Sequence, residues 1–524
     1  MKTKNIFRFA ILAILLCVPL VKMNAQKSQK TNLIWIITDE HNFRTIGAYR
    51  DQLTPEQALL WGPKAFPETP NLDALAKNGT IFNRMYCSAP VCSASRSSMF
   101  TGMYPVTLGI PNNSNTNGDG KYLKPDVTTI ADVLSKAGYM TGYTGKWHLA
   151  ESRDASGDKD HDEWWSPYPV GAPEDTYGFQ DKRFMFNGGH EKYKGIDANG
   201  NPYFASKNVK LIGKDKYGQP LFEDTKSKNV KHTTDFLTDR ALEFIDTNKS
   251  KPFYLVLSIP DPHTPDVVRA PYDAMYKGTV TQLPPTYKTA YENKTNPDLP
   301  SWQKPDAKTK NETKLKNEIE QYFGMVKLID DNLGRLVQKL KDDGVYENTI
   351  IVFSSDHGDL LGEHGRVNKG TIHEASSKIP FIVAQGATGK SPLIPRGKVI
   401  NEAGNTTDWM PTFLKVLGVD CPKVAGRDLS PLLNKKPVNW NDVTFVKLGF
   451  YAAVTDQYKL VLAQKDEPWL LDIKADPTER INFINDSKYS AVIKKLAMEL
   501  KGYMKNNKDK NEGVSKKLDV LISK

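Results

Sequence analysis

The chain is 524 residues long, 39% hydrophobic and 25% charged, with a formal net charge of +10. That length and apolar content suit one large domain plus a smaller one, and no segment after the first 25 residues is long and apolar enough to span a bilayer, which takes about 20 residues. The positive charge favours polyanionic partners but excludes no fold, and most of it reads as a solvated lysine-rich surface.

The chain opens on Lys2, Lys4 and Arg8, an apolar run from Phe9 to Val21, and a small residue, Ala25, before Gln26. This is the pattern of a cleavable secretory signal peptide over 1–25, and it places the mature chain in the periplasm or outside the cell. Leu16 before Cys17 stands where a lipoprotein signal has a small residue, which argues against a lipid anchor. Removing Lys2, Lys4, Arg8 and Lys22 leaves a net charge of +6. Asn32–Asn42 then reads as a buried parallel strand ending in Asp39 and Glu40. Thr69–Gly79 has a threonine cap, a first-turn proline and a terminal glycine, so it predicts a helix, and Thr129–Gly138 repeats that logic. A helix begins near Cys92, and a strand follows Gly138. The stretch 151–231 is polar, glycine-rich and studded with aromatics, and predicts inserted loops with short hairpins. Strands are expected at Pro252–His263 and Asn348–Asp359, and helices at Asp235–Asp246 and Glu318–Lys341. Alternating strands and helices argue an α/β domain around a mostly parallel sheet, with its site beyond the carboxyl ends of the strands. Thr444–Gln464 alternates like antiparallel strands and Asp486–Tyr503 reads as a helix, while the tail from Lys501 reads as polar. The expected division is a catalytic domain over 26–429 with the insert near 151–231, and an α+β subdomain over 430–524.

Three features carry chemistry. Asp39–Glu40 and Asp356–His357 end two separate strands; if these are neighbours, their carboxylates surround a hard divalent cation. Read singly, Asp39 is equally a helix cap and Asp356 a turn residue. Cys92 precedes Ser93, Ala94, Ser95 and Arg96 at a helix start, an electropositive setting that suits an oxyanion and lowers a thiol pKa. Only Cys87, Cys92 and Cys421 remain after the leader, so at least one thiol is unpaired or modified. Cys87 reads as a buried apolar residue, with pairing to Cys421 left open.

"CSASR" followed by Thr101-Gly102 resembles the signature of the type I, formylglycine-dependent sulfatases of the alkaline-phosphatase-like superfamily. Ala94 stands where that family more often has proline. The resemblance continues in order through "GYMTGYTGKWHLA", "DPHTP", "SSDHGDLLGEHG", "NKGTIHEASSKIP" and "LLDIKADPTER". It implies the superfamily's α/β fold, conversion of Cys92 to formylglycine (3-oxoalanine) by a maturing enzyme, and one Ca²⁺ ion. The ligands carried over are Asp39, Glu40, residue 92, Asp356 and His357; Glu40 departs from the usual aspartate or glutamine. In the implied reaction a geminal diol at 92, steadied by Arg96, attacks sulfur. Lys146, Lys369 and calcium clamp the sulfate oxygens, His263 protonates the leaving alcohol, and His148 is the base that expels sulfate. The implied substrate is a sulfated carbohydrate, attacked in exo fashion on mucin, glycosaminoglycan or algal glycan; no nucleic acid is expected. Trp164, Trp165 and Tyr168 of the insert are candidates to stack on sugars, and His161 and His190 to recognise substrate. The competing readings are a phosphate or phosphonate ester hydrolase of the same superfamily, and a catalytically inactive protein that binds sulfated glycan.

Overall fold

Every residue of the strand Asn32–Asp39 is buried, and its side chains alternate between two cores. Leu33, Trp35 and Ile37 enter one, Ile34 and Ile36 the other. A strand covered on both faces needs a continuous apolar run, which is what "NLIWIIT" supplies. A computed structural model describes residues 30–114, 121–150, 177–205, 208–216, 218–292, 299–386, 393–434 and 438–524. The signal-peptide reading, and those for His161, Trp164, Trp165 and Tyr168, lie outside the described residues.

Asn32–Asp39 is central in an eight-stranded sheet. The order is Lys398–Ile400, Gly79–Phe82, Phe381–Gln385, Thr349–Ser355, Asn32–Asp39, Phe253–Pro262, Met140–Lys146 and Asp181–Phe186. Only Phe381–Gln385 runs against the others. The first core packs Met99 and Phe100 of the helix Cys92–Thr101 with Trp409 and Phe413 of Trp409–Val416. The second packs Thr233–Asn248 and Glu312–Asp342 through Phe236, Leu237, Ile329 and Leu333. Helices therefore cover both faces, as a mostly parallel sheet requires. Among the described residues no helix is long and apolar enough to cross a membrane.

Two smaller sheets complete the described fold. Within the insert, five strands of three to five residues form a continuous antiparallel sheet between Tyr193 and His232. This is more order than loops and isolated hairpins; strands this short give too few alternations to read. The alternating run from Thr444 forms strands Thr444–Lys447, Phe450–Val454 and Tyr458–Ala463, with Trp469–Asp472 as the fourth. One face of this sheet packs on the helices Ser490–Asn506 and Glu512–Ser523. The tail read as polar thus folds into a second helix. The other face, through Val454, Val461, Ala463 and Leu471, packs on Tyr86, Trp302 and Ile372 of the large domain.

Candidate active site

Four strand ends and one helix start meet at a single point. Asp39 ends the central strand, Asp356 and His357 follow its neighbour Thr349–Ser355, and His263 follows Phe253–Pro262 on the other side. Lys146 closes the next strand and His148 lies two residues on. Cys92 begins the helix Cys92–Thr101, which is buried along its whole length. Its run of small residues lets that helix lie directly on the strand ends. Ser95 Oγ donates to the Asp356 carbonyl at 2.6 Å and Ser93 Oγ to the His148 carbonyl at 2.7 Å.

Cys92 Sγ lies 3.2 Å from His357 Nε2 and 3.7 Å from Asp39 Oδ1. Donor atoms of Asp39, Cys92, Asp356 and His357 all fall within 4.8 Å of one another. Arg96 Nε donates to Asp356 Oδ2 at 2.8 Å, and its Nη1 to the Lys146 carbonyl at 2.8 Å and Ser258 Oγ at 2.9 Å. Lys146 Nζ sits on Asp39 Oδ2. Glu40 faces a second group: its Oε2 is 2.9 Å from Lys369 Nζ and 3.1 Å from His263 Nε2. Lys369 Nζ donates to His263 Nε2 at 2.8 Å, while His263 Nδ1 meets the Thr264 carbonyl at 2.7 Å. The Nδ1–H tautomer follows, with Nε2 accepting from the lysine. All ten residues singled out from the sequence are thus gathered here, with Glu40 set apart from the Asp39–Cys92–Asp356–His357 quartet.

Two further residues join that the sequence did not assign to the centre. His190 Nε2 lies 3.1 Å from Asp39 Oδ2 and 2.8 Å from Lys146 Nζ, and its ring stacks on His263 at 4.0 Å. Lys192 Nζ donates to Asp261 Oδ1 at 2.6 Å and to the His263 carbonyl at 3.0 Å, so the insert also pins the His263 turn. Both follow Gly188-Gly189 in a stretch without periodicity, where no pattern marks a site residue. Glu40, His148 and Asn368 hold left-handed backbone, at φ of 64°, 61° and 59°. Non-glycine residues persist there only where the surroundings over-determine them, and such residues cluster at functional sites.

The electrostatics are those of an anion site built beside a cation site. Burial and Asp39 push the Cys92 thiol up, yet Lys146, Lys369 and His357 outweigh them and bring it down to about 5. Burial raises the Asp39 carboxyl too, but Lys146, with a hydrogen bond from His190 and the charge of Arg96, holds it well below the usual range. Glu40 goes the other way, pushed up by burial to about 7 against Lys369 and His357. Burial and the neighbouring Asp39 also raise Asp356. His148 and His263 are both kept neutral by burial. Three buried polar atoms here, Glu40 Oε1, Arg96 Nη2 and His148 Nδ1, have no hydrogen-bond partner. Buried polar groups are almost always paired, so three orphans on one site mark places for bound groups. Asp39 adds to the raising of both Glu40 and Asp356, and three fully buried carboxylates in one site suit a hard divalent cation held through oxygen.

Comparison with known proteins identifies the family. The family model for sulfatases matches residues 31–419, and that for the C-terminal part of N-sulphoglucosamine sulphohydrolase matches 362–506. An arylsulfatase of Clostridium perfringens is 28% identical over 91% of this chain and 97% of its own length. An N-acetylglucosamine-6-O-sulfatase of Bacteroides thetaiotaomicron is 26% identical over 93% of this chain and 89% of its own. The solved structure of BT4656 with its substrate D-glucosamine-2-N,6-O-disulfate superposes with a TM-score of 0.65 at 22% identity, covering 93% of this chain and 99% of that one. With its mostly parallel sheet and its acidic strand ends around Cys92, the chain belongs to the sulfatase family of the alkaline-phosphatase-like superfamily.

Proposed function

We propose that this sulfatase removes sulfate from a sulfated carbohydrate outside the cytoplasm, acting in exo fashion, with Cys92 in its formylglycine form and one bound Ca²⁺. The observation that carries this reading is the set of orphaned buried atoms, Glu40 Oε1, Arg96 Nη2 and His148 Nδ1, around a cysteine held among cations. Relatives named for N-acetylglucosamine-6-O-sulfatase and ulvan-active sulfatase activity support a carbohydrate substrate.

Asp39, Asp356 and His357 would hold the calcium together with residue 92, and Glu40, set apart from them with Oε1 unpartnered, would join as a further ligand. Calcium would supply fixed positive charge, and the formylglycine a carbon bearing two oxygens, so that one can attack and the other can expel sulfate. Lys146 and Lys369 neutralise the sulfate oxygens as charge builds on them. Arg96, anchored to Asp356 by Nε, keeps Nη2 for the residue-92 oxygens. The proton for the departing alcohol comes from the Lys369–His263 pair, in which the ammonium and His263 Nε2 hold one hydrogen between them. His148, neutral and with Nδ1 free, is the base on the residue-92 side.

The test is a desulfation screen against defined sulfated mono- and oligosaccharides, with aryl sulfate and aryl phosphate as references and formylglycine at 92 verified by mass spectrometry. Sulfate release from a sulfated sugar is expected, with aryl sulfate cleaved faster than aryl phosphate. A clear phosphatase preference would move the chain to the phosphoester hydrolases. Binding of sulfated glycan without turnover by the matured protein would make it a lectin-like relative.

A further inference from the structure

The segment Leu470–Glu479, "LLDIKADPTE", has no part in the chemistry above, yet its last side chain is buried against the large domain. Its two aspartates build the turn that delivers it. Asp472 Oδ1 accepts the amides of Lys474 and Ala475, and Asp476 accepts those of Thr478, Arg480 and Ile481. Glu479, at φ 53°, is pushed inward by this fold. Its Oε1 takes Lys459 Nζ at 2.7 Å and its Oε2 takes the Glu374 amide at 2.7 Å. Lys459, on the third strand of the C-terminal sheet and 0% exposed, also donates to Glu374 Oε1 at 2.8 Å and to the Ile372 carbonyl at 2.9 Å.

What these two residues grip is the loop of the sulfate clamp. Ile372 is three residues beyond Lys369, and its carbonyl also takes Ser377 Oγ at 2.8 Å. The short turn Glu374–Ser377 leads back to the metal side, where the Ser376 carbonyl accepts the amide of Gly358, next to His357, at 2.9 Å. A Cβ on Gly358 would stand 2.0 Å from the Ala375 carbonyl oxygen, so this contact has no slack. A buried ion pair is an expensive way to gain stability, since a packed apolar pair serves as well or better. It does fix direction and distance.

We infer that Glu479 and Lys459 are positioning residues: through Ile372 and Glu374 the C-terminal sheet sets where Lys369 meets the sulfate. This rests on the reading of Lys369 as a sulfate clamp. The experiment crosses Glu479→Gln with Lys369→Ala in the full-length protein carrying formylglycine at 92. It measures kcat/KM for an aryl sulfate and inhibition by inorganic sulfate, at a temperature where circular dichroism shows every variant folded. Glu479→Gln alone should lower kcat/KM by about 10- to 100-fold, as displacement of a clamping group by about 1 Å does, and weaken sulfate inhibition. In the Lys369→Ala background the same substitution should change residual activity by less than about threefold, because the group it positions is gone. Equal losses in both backgrounds, or full activity in folded Glu479→Gln, overturn the inference. Full activity of Lys369→Ala alone overturns the clamp reading and the inference with it. If Glu479→Gln does not fold, the double variant Lys459→Met/Glu479→Gln, which removes both charges together, takes its place in the same comparison.

Discussion

At the scale of single residues, the proposed mechanism turns on what residue 92 as formylglycine would do that a serine cannot. A serine carries one oxygen, so after attack on sulfur it has none left to push the sulfate off. Cys92→Ser should therefore keep fold and substrate affinity but lower kcat by about a thousandfold or more, read by aryl sulfate turnover beside a binding titration. Because Cys92 is 2% exposed and Ser is nearly isosteric, the midpoint of thermal unfolding should move by only a few degrees. The calcium reading has its own test. On that reading the ion adds to the pairing that Lys146, Lys369 and Arg96 already give the fully buried Asp39, Glu40 and Asp356, so its removal destabilises the site. Exhaustive chelation should abolish activity reversibly and lower the unfolding temperature, with Ca²⁺ restoring both. Unchanged activity in protein shown to be metal-free would end the argument for calcium. Asp39 and Asp356 were legible as acids ending strands, and Cys92 with Arg96 as an electropositive helix start; the roles of Lys146, His148, His263 and Lys369 rested on the family resemblance, since each alone has an ordinary structural reading. His190 was legible only as a candidate for substrate recognition and Lys192 not at all, because their places depend on how the insert folds back over Asp39 and Asp261.

At the scale of elements, the four strands at the centre of the large sheet were readable, three of them as apolar runs buried on both faces, whereas Gly79–Phe82, Phe381–Gln385, Lys398–Ile400 and Asp181–Phe186 were not read. The C-terminal tail was the hardest. Glu512–Ser523 buries only Val514, Leu518 and Leu521 among lysines, a narrow i, i+4, i+7 stripe that polar composition hides. Asn511 caps the helix by accepting the Val514 amide at 3.1 Å. Leu518 is 0% exposed in the core shared with Leu496, Leu500 and Leu460. Leu518→Ala should then cost about 2–5 kcal/mol, measured by chemical denaturation. Loss of less than about 1 kcal/mol would mean the helix is not held by that core.

At the scale of the whole molecule, pH acts on stability through groups of opposite sign, so a single variant isolates one of them better than the total does. Burial raises carboxyls such as Glu363 to about 7, which favours the fold as pH falls. Burial lowers His232 to about 4, which does the reverse. His232 is 0% exposed, neither ring nitrogen has a hydrogen-bond partner, and Asp261 Oδ2 is 3.9 Å from Nδ1. Its folded pKa lies below the unfolded value near 6.5, so the unfolded chain binds the extra proton between the two. The stability it contributes as a neutral ring is fully present above pH 6.5 and is lost as pH falls towards 4. His232→Phe keeps the ring shape beside Tyr193 and removes the proton site. Relative to the parent chain, the variant should gain about 1.4 kcal/mol per pH unit between pH 6 and 4.5, and show a constant difference above pH 7. Denaturant titrations of the two proteins across pH 4.5–8 measure this directly. A difference that stays flat below pH 6 would show that His232 takes up its proton in the folded state, through Asp261.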